Sequence, residues 1–108
     1  MNKKQMDDIF AISEVFSSPK RLMILDILSK EPMGYTEITN CFERSGMLIG
    51  SSEVYKHLKI LISNGFISQK KESLYGKYLI TKRGMVAVEK IKEIAGTEAK
   101  VAKIRMEF

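Results

Sequence analysis

Apolar residues recur at helical spacing through most of the chain, and the width of the apolar stripe in each segment predicts how deeply that helix is buried. Residues 51–65, SSEVYKHLKILISNG, place Val54, His57, Leu58, Leu61 and Ile62 in one stripe and Ser52, Lys56 and Lys59 opposite it, with Glu53 and Tyr55 flanking the outer strip. This spacing predicts a helix with one buried face and a small, basic and aromatic outer face. Ser51 or Ser52 is expected to cap its start, and Asn64-Gly65 to stop it in a left-handed conformation. Residues 3–17 behave differently, because Met6, Ile9, Phe10, Ala11, Ile12, Val15 and Phe16 cover more than one face, so that helix needs two surfaces to bury. Ser17-Ser18-Pro19 ends it and starts the next, serine serving as N-cap and proline fitting the first turn. In residues 20–30 only Asp26 interrupts Leu22, Met23, Ile24, Leu25, Ile27 and Leu28, which predicts a helix at the centre of the core.

Glu31-Pro32-Met33-Gly34 is punctuation, after which Tyr35 is expected to add a residue or two of strand and Thr36 to cap a short third helix over about 37–43. Ile38, Cys41 and Phe42 have core spacing there, so Cys41 reads as a small buried hydrophobe, not a reactive thiol. A loop over 44–50, with a glycine near each end, leads into the 51–65 helix. Beyond it, residues 66–71 and 77–81 are rich in β-formers and predict a hairpin, with Gly76 free to take positive φ at the turn. Thr81 is expected to cap a C-terminal helix with Val86, Ala87, Val88, Ile91, Ile94 and Ala95 on one stripe, interrupted at Gly96-Thr97 and restarting over 98–108.

A chain of 108 residues suits one domain with one modest core, and 44% hydrophobic with 29% charged residues is a globular balance. No apolar run reaches a membrane span and the N-terminal stretch lacks the features of a secretory signal, so the expectation is a cytoplasmic protein without membrane partners. One cysteine and one histidine fall short of a zinc site, no catalytic constellation or phosphate-binding glycine loop is present, and no enzyme activity or cofactor is expected. The net charge is +5, and residues 51–83 alone hold seven basic residues against two acidic ones. All of the excess therefore sits in one segment, as expected if that segment faces a polyanion.

The predicted order of helix, helix, short strand, helix, helix, hairpin and helix is that of a winged helix-turn-helix: mainly α with a small β-hairpin. Here the residues become specific. Ser52-Glu53-Val54-Tyr55-Lys56-His57-Leu58-Lys59-Ile60-Leu61 followed by Asn64-Gly65-Phe66-Ile67 resembles the recognition-helix signature of ArsR-type transcription regulators. Tyr78-Leu79-Ile80-Thr81 with Gly84 is similar to that family's strand leaving the wing, and Pro19-Lys20-Arg21-Leu22 with Ile24-Leu25 to its helix after the N-terminal arm. The resemblance covers about residues 17–84 and is closest in flavour to small archaeal members. It implies a homodimer that binds near-palindromic operator DNA and represses or activates a promoter. Two departures stand out: Cys41 is alone where the family's metal sensors carry paired cysteines, and the segment from Ile38 to Val54 is several residues longer than the usual tight turn.

On this reading a single domain comprises an N-terminal dimerisation helix (1–17), a winged-helix core (18–81) and a C-terminal helix and tail (82–108). The helix over 51–64 enters the major groove and the wing over 68–78 meets backbone or minor groove. Ser51, Ser52, Glu53, Tyr55, Lys56 and Lys59 are the expected contacts of the helix, and Lys70, Lys71 and Lys77 those of the wing. His57, on the edge of the buried stripe, is either a structural histidine bonded to a neighbour or a phosphate donor. Ile9, Phe10, Phe16, Val88, Ile91 and Ile94 exceed what one small core can bury and are expected to form the dimer interface. The competing class is a winged-helix protein-interaction module of a larger transcription or processing assembly. Single-strand or RNA binding would call for more exposed aromatics than the tyrosines available here. The sequence gives no sign of an effector.

Overall fold

The computed structural model describes residues 1–70 and 76–106, with side chains described through residue 96. Five helices and one hairpin follow in the order α1 (Lys3–Phe16), α2 (Pro19–Lys30), α3 (Tyr35–Arg44), α4 (Ser51–Ser63), β1 (Ile67–Gln69), β2 (Tyr78–Ile80) and α5 (Lys82–Met106).

The local signals that set α1 and α2 act as expected. Asn2 and Gln5 exchange backbone-to-side-chain hydrogen bonds in a capping box at the start of α1. Ser18 accepts from the Arg21 N–H, and Pro19 occupies the first position of α2. Ile24, Leu25, Ile27 and Leu28 are buried, and α2 touches α1, α3, α4, α5 and β2, which makes it the central helix.

Two starts differ from expectation. Gly34, not Thr36, is the N-cap of α3, with Glu37 reaching back to the Gly34 N–H. Tyr35 and Thr36 are thereby the first helical residues, and the single strand-like residue is Met33, which exchanges two hydrogen bonds with Tyr78. Gly50, not Ser51 or Ser52, is the N-cap of α4, its carbonyl accepting from Glu53 and Val54 while neither serine hydroxyl caps.

Both of these helices end alike. Gly46 and Gly65 each have φ of 78°, and each is followed by a residue whose N–H turns back into the helix, Met47 to the Phe42 carbonyl and Phe66 to the Leu61 carbonyl. These are Schellman closures, which satisfy the last carbonyls and fold the next apolar side chain onto the helix. In α4 that side chain is Phe66, fully buried against the same core as Leu61.

The strands pair antiparallel with Ile67 opposite Ile80 and Gln69 opposite Tyr78, and the Lys70 N–H to Lys77 carbonyl bond extends the ladder by one step. They are shorter than the expected 66–71 and 77–81, because Phe66 and Thr81 serve the helix ends: the Thr81 hydroxyl donates to the Gly65 carbonyl and accepts from the Gly84 N–H, capping α5. The expectation for Gly76 depends on residues 71–75, which lie outside the described residues. Gly96 does not interrupt α5, which runs unbroken to Met106. A glycine inside a helix costs only about 1 kcal/mol relative to alanine, too little to end one whose neighbours favour it.

The core gathers Val15, the apolar face of α2, Ile38 and Phe42 of α3, Val54, Leu58 and Leu61 of α4, and Phe66, Ile67 and Tyr78 of the hairpin. Cys41 packs partly buried against it. Two apolar expectations fail. Ile62 is 39% exposed, because the buried face of α4 is only as wide as the Val54, Leu58 and Leu61 line. Val88 is buried within its own protomer at 5% exposure, together with Ala87, and has no surface to offer a partner. Of the other expected interface residues, Ile9, Phe10, Phe16 and Ile94 are exposed and Ile91 is half-buried.

Candidate nucleic-acid interface

With Val54, Leu58 and Leu61 locked into the core, the opposite side of α4 faces solvent over its whole length. Ser51, Ser52, Tyr55, Lys56 and Lys59 are all exposed on it. The structure thus brings five of the six expected helix contacts to one strip. Lys59 Nζ sits 4.7 Å from the centre of the Tyr55 ring, a cation–π contact that orders both side chains. Lys56, between them in sequence, is exposed and has no ion-pair partner among the described residues. The start of α4 is fixed from outside the helix, since the Tyr35 hydroxyl donates to the Ser51 carbonyl.

Glu53 is placed differently from the other five. Its carboxylate meets Lys20 Nζ at 2.6 Å and lies 3.5 Å from His57 Nε2. The Lys20 hydrogen bond holds its carboxyl below the usual carboxylate range, and the His57 contact adds to this. The group is an anchor between α2 and α4, half-buried beneath the outer strip.

His57 is bonded to a neighbour: Arg21 Nη1 lies 3.1 Å from its Nδ1. Burial of the ring pushes its pKa down, against the opposing pull of Glu53, and the cations of Arg21 and Lys20 push the same way as burial. The remaining Arg21 donors reach the Glu14 carbonyl on α1 at 3.0 and 2.7 Å. At the other end of α4, Asn64 donates to the Glu14 carboxylate at 3.1 Å.

Lys70 and Lys77 are both exposed at the last paired step among the described residues, so two wing lysines stand side by side. Lys71 lies outside the described residues. Lys20, Arg21 and Tyr35 hold the strip in place, although the sequence pattern places Lys20 and Arg21 only in a motif of the scaffold helix and Tyr35 only in a short strand. Their partners are 33, 36 and 16 residues away, and no periodicity links them. Among the described residues no group of three or more His, Cys, Asp or Glu could hold a metal ion, and no helix is long and apolar enough to cross a membrane.

The family model for a helix-turn-helix domain matches residues 16–69, which takes in α2, α3, α4 and β1. No curated protein matches the chain in sequence. Among solved structures, the chain is similar to HlyU from Vibrio cholerae, with TM-score 0.71 and 19% identity over 87% of this chain and 97% of that one. It is also similar to a MarR-family transcriptional regulator from Enterococcus faecalis, with TM-score 0.80 and 13% identity over 100% and 96%. A third is the homodimeric winged helix-turn-helix DNA-binding domain from Mycobacterium bovis, with TM-score 0.70 and 19% identity over 89% and 87%. At these identities the likeness establishes the fold, a winged helix-turn-helix in which α3 and α4 are the helix-turn-helix pair and β1 and β2 the wing.

Proposed function

This chain belongs to the helix-turn-helix domain family, and from that premise we propose that it is a transcription regulator of the ArsR-like kind that binds double-stranded DNA as a homodimer. The recognition helix α4 lies in the major groove, and the wing over 68–78 rests on backbone or minor groove. The observation that carries this reading is the outer strip of α4, where Ser51, Ser52, Tyr55, Lys56 and Lys59 are exposed on a helix whose other face is buried in the core. Serine and lysine at successive turns of a rigid helix suit base edges and phosphates. Lys70 and Lys77 suit phosphates beside it.

The dimer reading is supported by what α1 and α5 leave uncovered. Ile9, Phe10 and Phe16 of α1 and Ile94 of α5 are exposed, and a groove of about 490 Å³ between the two helices is lined by Ile12, Phe16, Phe66, Val86 and Ala87 together with the charged Asp8, Arg83 and Lys90. A two-fold pair through α1 and α5 would set two recognition helices one DNA turn apart, roughly 34 Å, to read a pseudo-palindromic operator. Such a protein is non-enzymatic and cytoplasmic, and needs no cofactor for this role.

The test is the salt dependence of duplex binding. If each subunit neutralises about three or four phosphates, log K falls with log salt at a slope of roughly −5 to −7. An affinity for duplex DNA that is undetectable at low salt, or insensitive to salt, would instead favour a winged-helix protein-interaction module.

A further inference from the structure

Arg21 stands where α1, α2 and α4 meet, and its guanidinium forks between two of them. Nε and Nη2 donate to the Glu14 carbonyl of α1, while Nη1 lies 3.1 Å from Nδ1 of His57 on α4. Arginine has only donors and stays protonated, so the second contact is a hydrogen bond only when Nδ1 carries a lone pair. The ring proton of neutral His57 is therefore on Nε2, on the side of the Glu53 carboxylate 3.5 Å away. Glu53 is gripped in turn by Lys20. Two consecutive residues of α2 thus hold two residues of α4 that are one turn apart, Glu53 and His57. Each of these is the chain neighbour of a residue on the outer strip, Ser52 and Lys56. Any roll of α4 about its axis breaks one of these bonds, and the same roll would move Ser52 and Lys56 off the bases they face.

We propose that Arg21 is a positioning residue for the recognition helix: by using His57 as an acceptor it fixes the roll of α4 against α1, and a second proton on His57 releases that grip and weakens duplex binding. The inference rests on the DNA-binding reading above. The charged groups facing the imidazole are Glu53 on its own helix and Lys20 and Arg21 on α2; the Glu14 carbonyl of α1 completes the Arg21 fork, and the loop after α3 brings only Met47 to the same cavity. A proton on Nδ1 turns an acceptor into a donor facing a donor and sets two cations against each other, with Lys20 adding to the repulsion and Glu53 alone opposing it. The burial that depresses the pKa of His57 supports this direction, since the neutral ring is the form the fold prefers.

His57 is the one histidine in the chain, so between about pH 5.5 and 7 it is the side chain whose ordinary pKa falls in the window. The sign of the effect is diagnostic. An added positive charge beside DNA would by itself tighten binding on acidification, whereas release of α4 loosens it.

The experiment measures fluorescence anisotropy of the full chain on a duplex that the wild-type protein selects from a random-sequence pool, at fixed ionic strength across that window. Wild type is expected to bind about two- to fivefold more weakly at the acid end, below the roughly tenfold ceiling that one imidazole with the ordinary pKa could give at pH 5.5, because burial already lowers the pKa of His57. His57→Gln offers an acceptor that does not titrate and is expected to give a flat profile, whereas Arg21→Met offers no donor but keeps the imidazole, so it is expected to lose the acid weakening and stay level or tighten toward acid, whatever its absolute affinity. Far-UV circular dichroism of wild type should be unchanged over the window, and the ring nitrogen shifts of neutral His57 should show the Nε2–H form. Wild-type binding that tightens or stays level toward acid, persistence of the wild-type profile in either variant, or affinity that falls in step with helical signal would each overturn the proposal while leaving the DNA-binding reading intact. Failure to select any duplex would overturn both.

Discussion

At the scale of single residues, the outer strip of α4 is ordered by what lies beneath it. His57 has its pKa pushed down first by burial, so the folded state prefers the neutral ring more than the unfolded chain does. Its contribution to stability is therefore complete above the ordinary histidine value of about 6.5 and is lost as pH falls below that toward the lower folded value. Urea unfolding is expected to give a midpoint that declines over this interval in wild type and stays level in His57→Gln; a midpoint that rises on acidification would contradict the assignment. Glu53, with its carboxyl held down first by Lys20, adds a second loss at lower pH, below the ordinary carboxylate value. None of these pairings was legible in the sequence. The helical period places Glu53 on the flank of the outer strip, where it reads as a DNA contact, and only the fold reveals Lys20 at 2.6 Å from it. His57 was legible as a histidine on the edge of a buried stripe, but its partner, 36 residues back, was not.

At the scale of elements, the legible boundaries were those marked by one unambiguous local signal. Ser18-Pro19 can only start α2, and Asn64-Gly65 can only stop α4. Where cap chemistry alone was followed it misled: Thr36 and Ser51 or Ser52 carry the usual capping hydroxyls, but the fold begins α3 after Gly34 and α4 after Gly50. Those choices depend on tertiary anchors such as Tyr35 on the Ser51 carbonyl and Met33 on Tyr78. Val88 and Ile62 exchanged expected environments for a similar reason: a stripe drawn at 100° per residue gives the direction of the buried face but not its width, which the neighbouring element sets.

The junction of α4, the hairpin and α5 leaves no room for a side chain at Gly84. A Cβ on Gly84 would collide with the Phe66 carbonyl and stand 2.6 Å from Ile80 Cγ1. Gly84→Ala is expected to destabilise the fold by about 1–3 kcal/mol through this overpacking, despite the better helix propensity of alanine. Denaturant titration checks it, and a neutral or stabilising outcome would mean that the wing can shift off α5 at little cost.

At the scale of the whole molecule, the proposed dimer rests on the apolar surface that one protomer leaves exposed. Phe10 is 66% exposed on α1, and Ile94 is 57% exposed on α5. Phe10→Lys is expected to convert a dimer into a monomer by sedimentation and to abolish the advantage of a two-half-site duplex over a single half-site. Retention of the dimer in this variant would move the interface elsewhere. Within that dimer the central claim is a division of labour between α4, which reads sequence, and the wing, which holds phosphate. It is tested most directly by titrating wild type, Lys56→Ala and the Lys70→Ala/Lys77→Ala pair against the selected duplex and random duplex at several salt concentrations. Lys56→Ala should cost about 1–3 kcal/mol on the selected duplex and much less on random DNA, because a base edge differs from site to site. The wing pair should weaken both duplexes alike and flatten the salt slope by up to about one unit for each phosphate that a subunit no longer neutralises. If Lys56→Ala weakened both duplexes equally while the wing pair lost discrimination, α4 would not be the helix that reads the DNA.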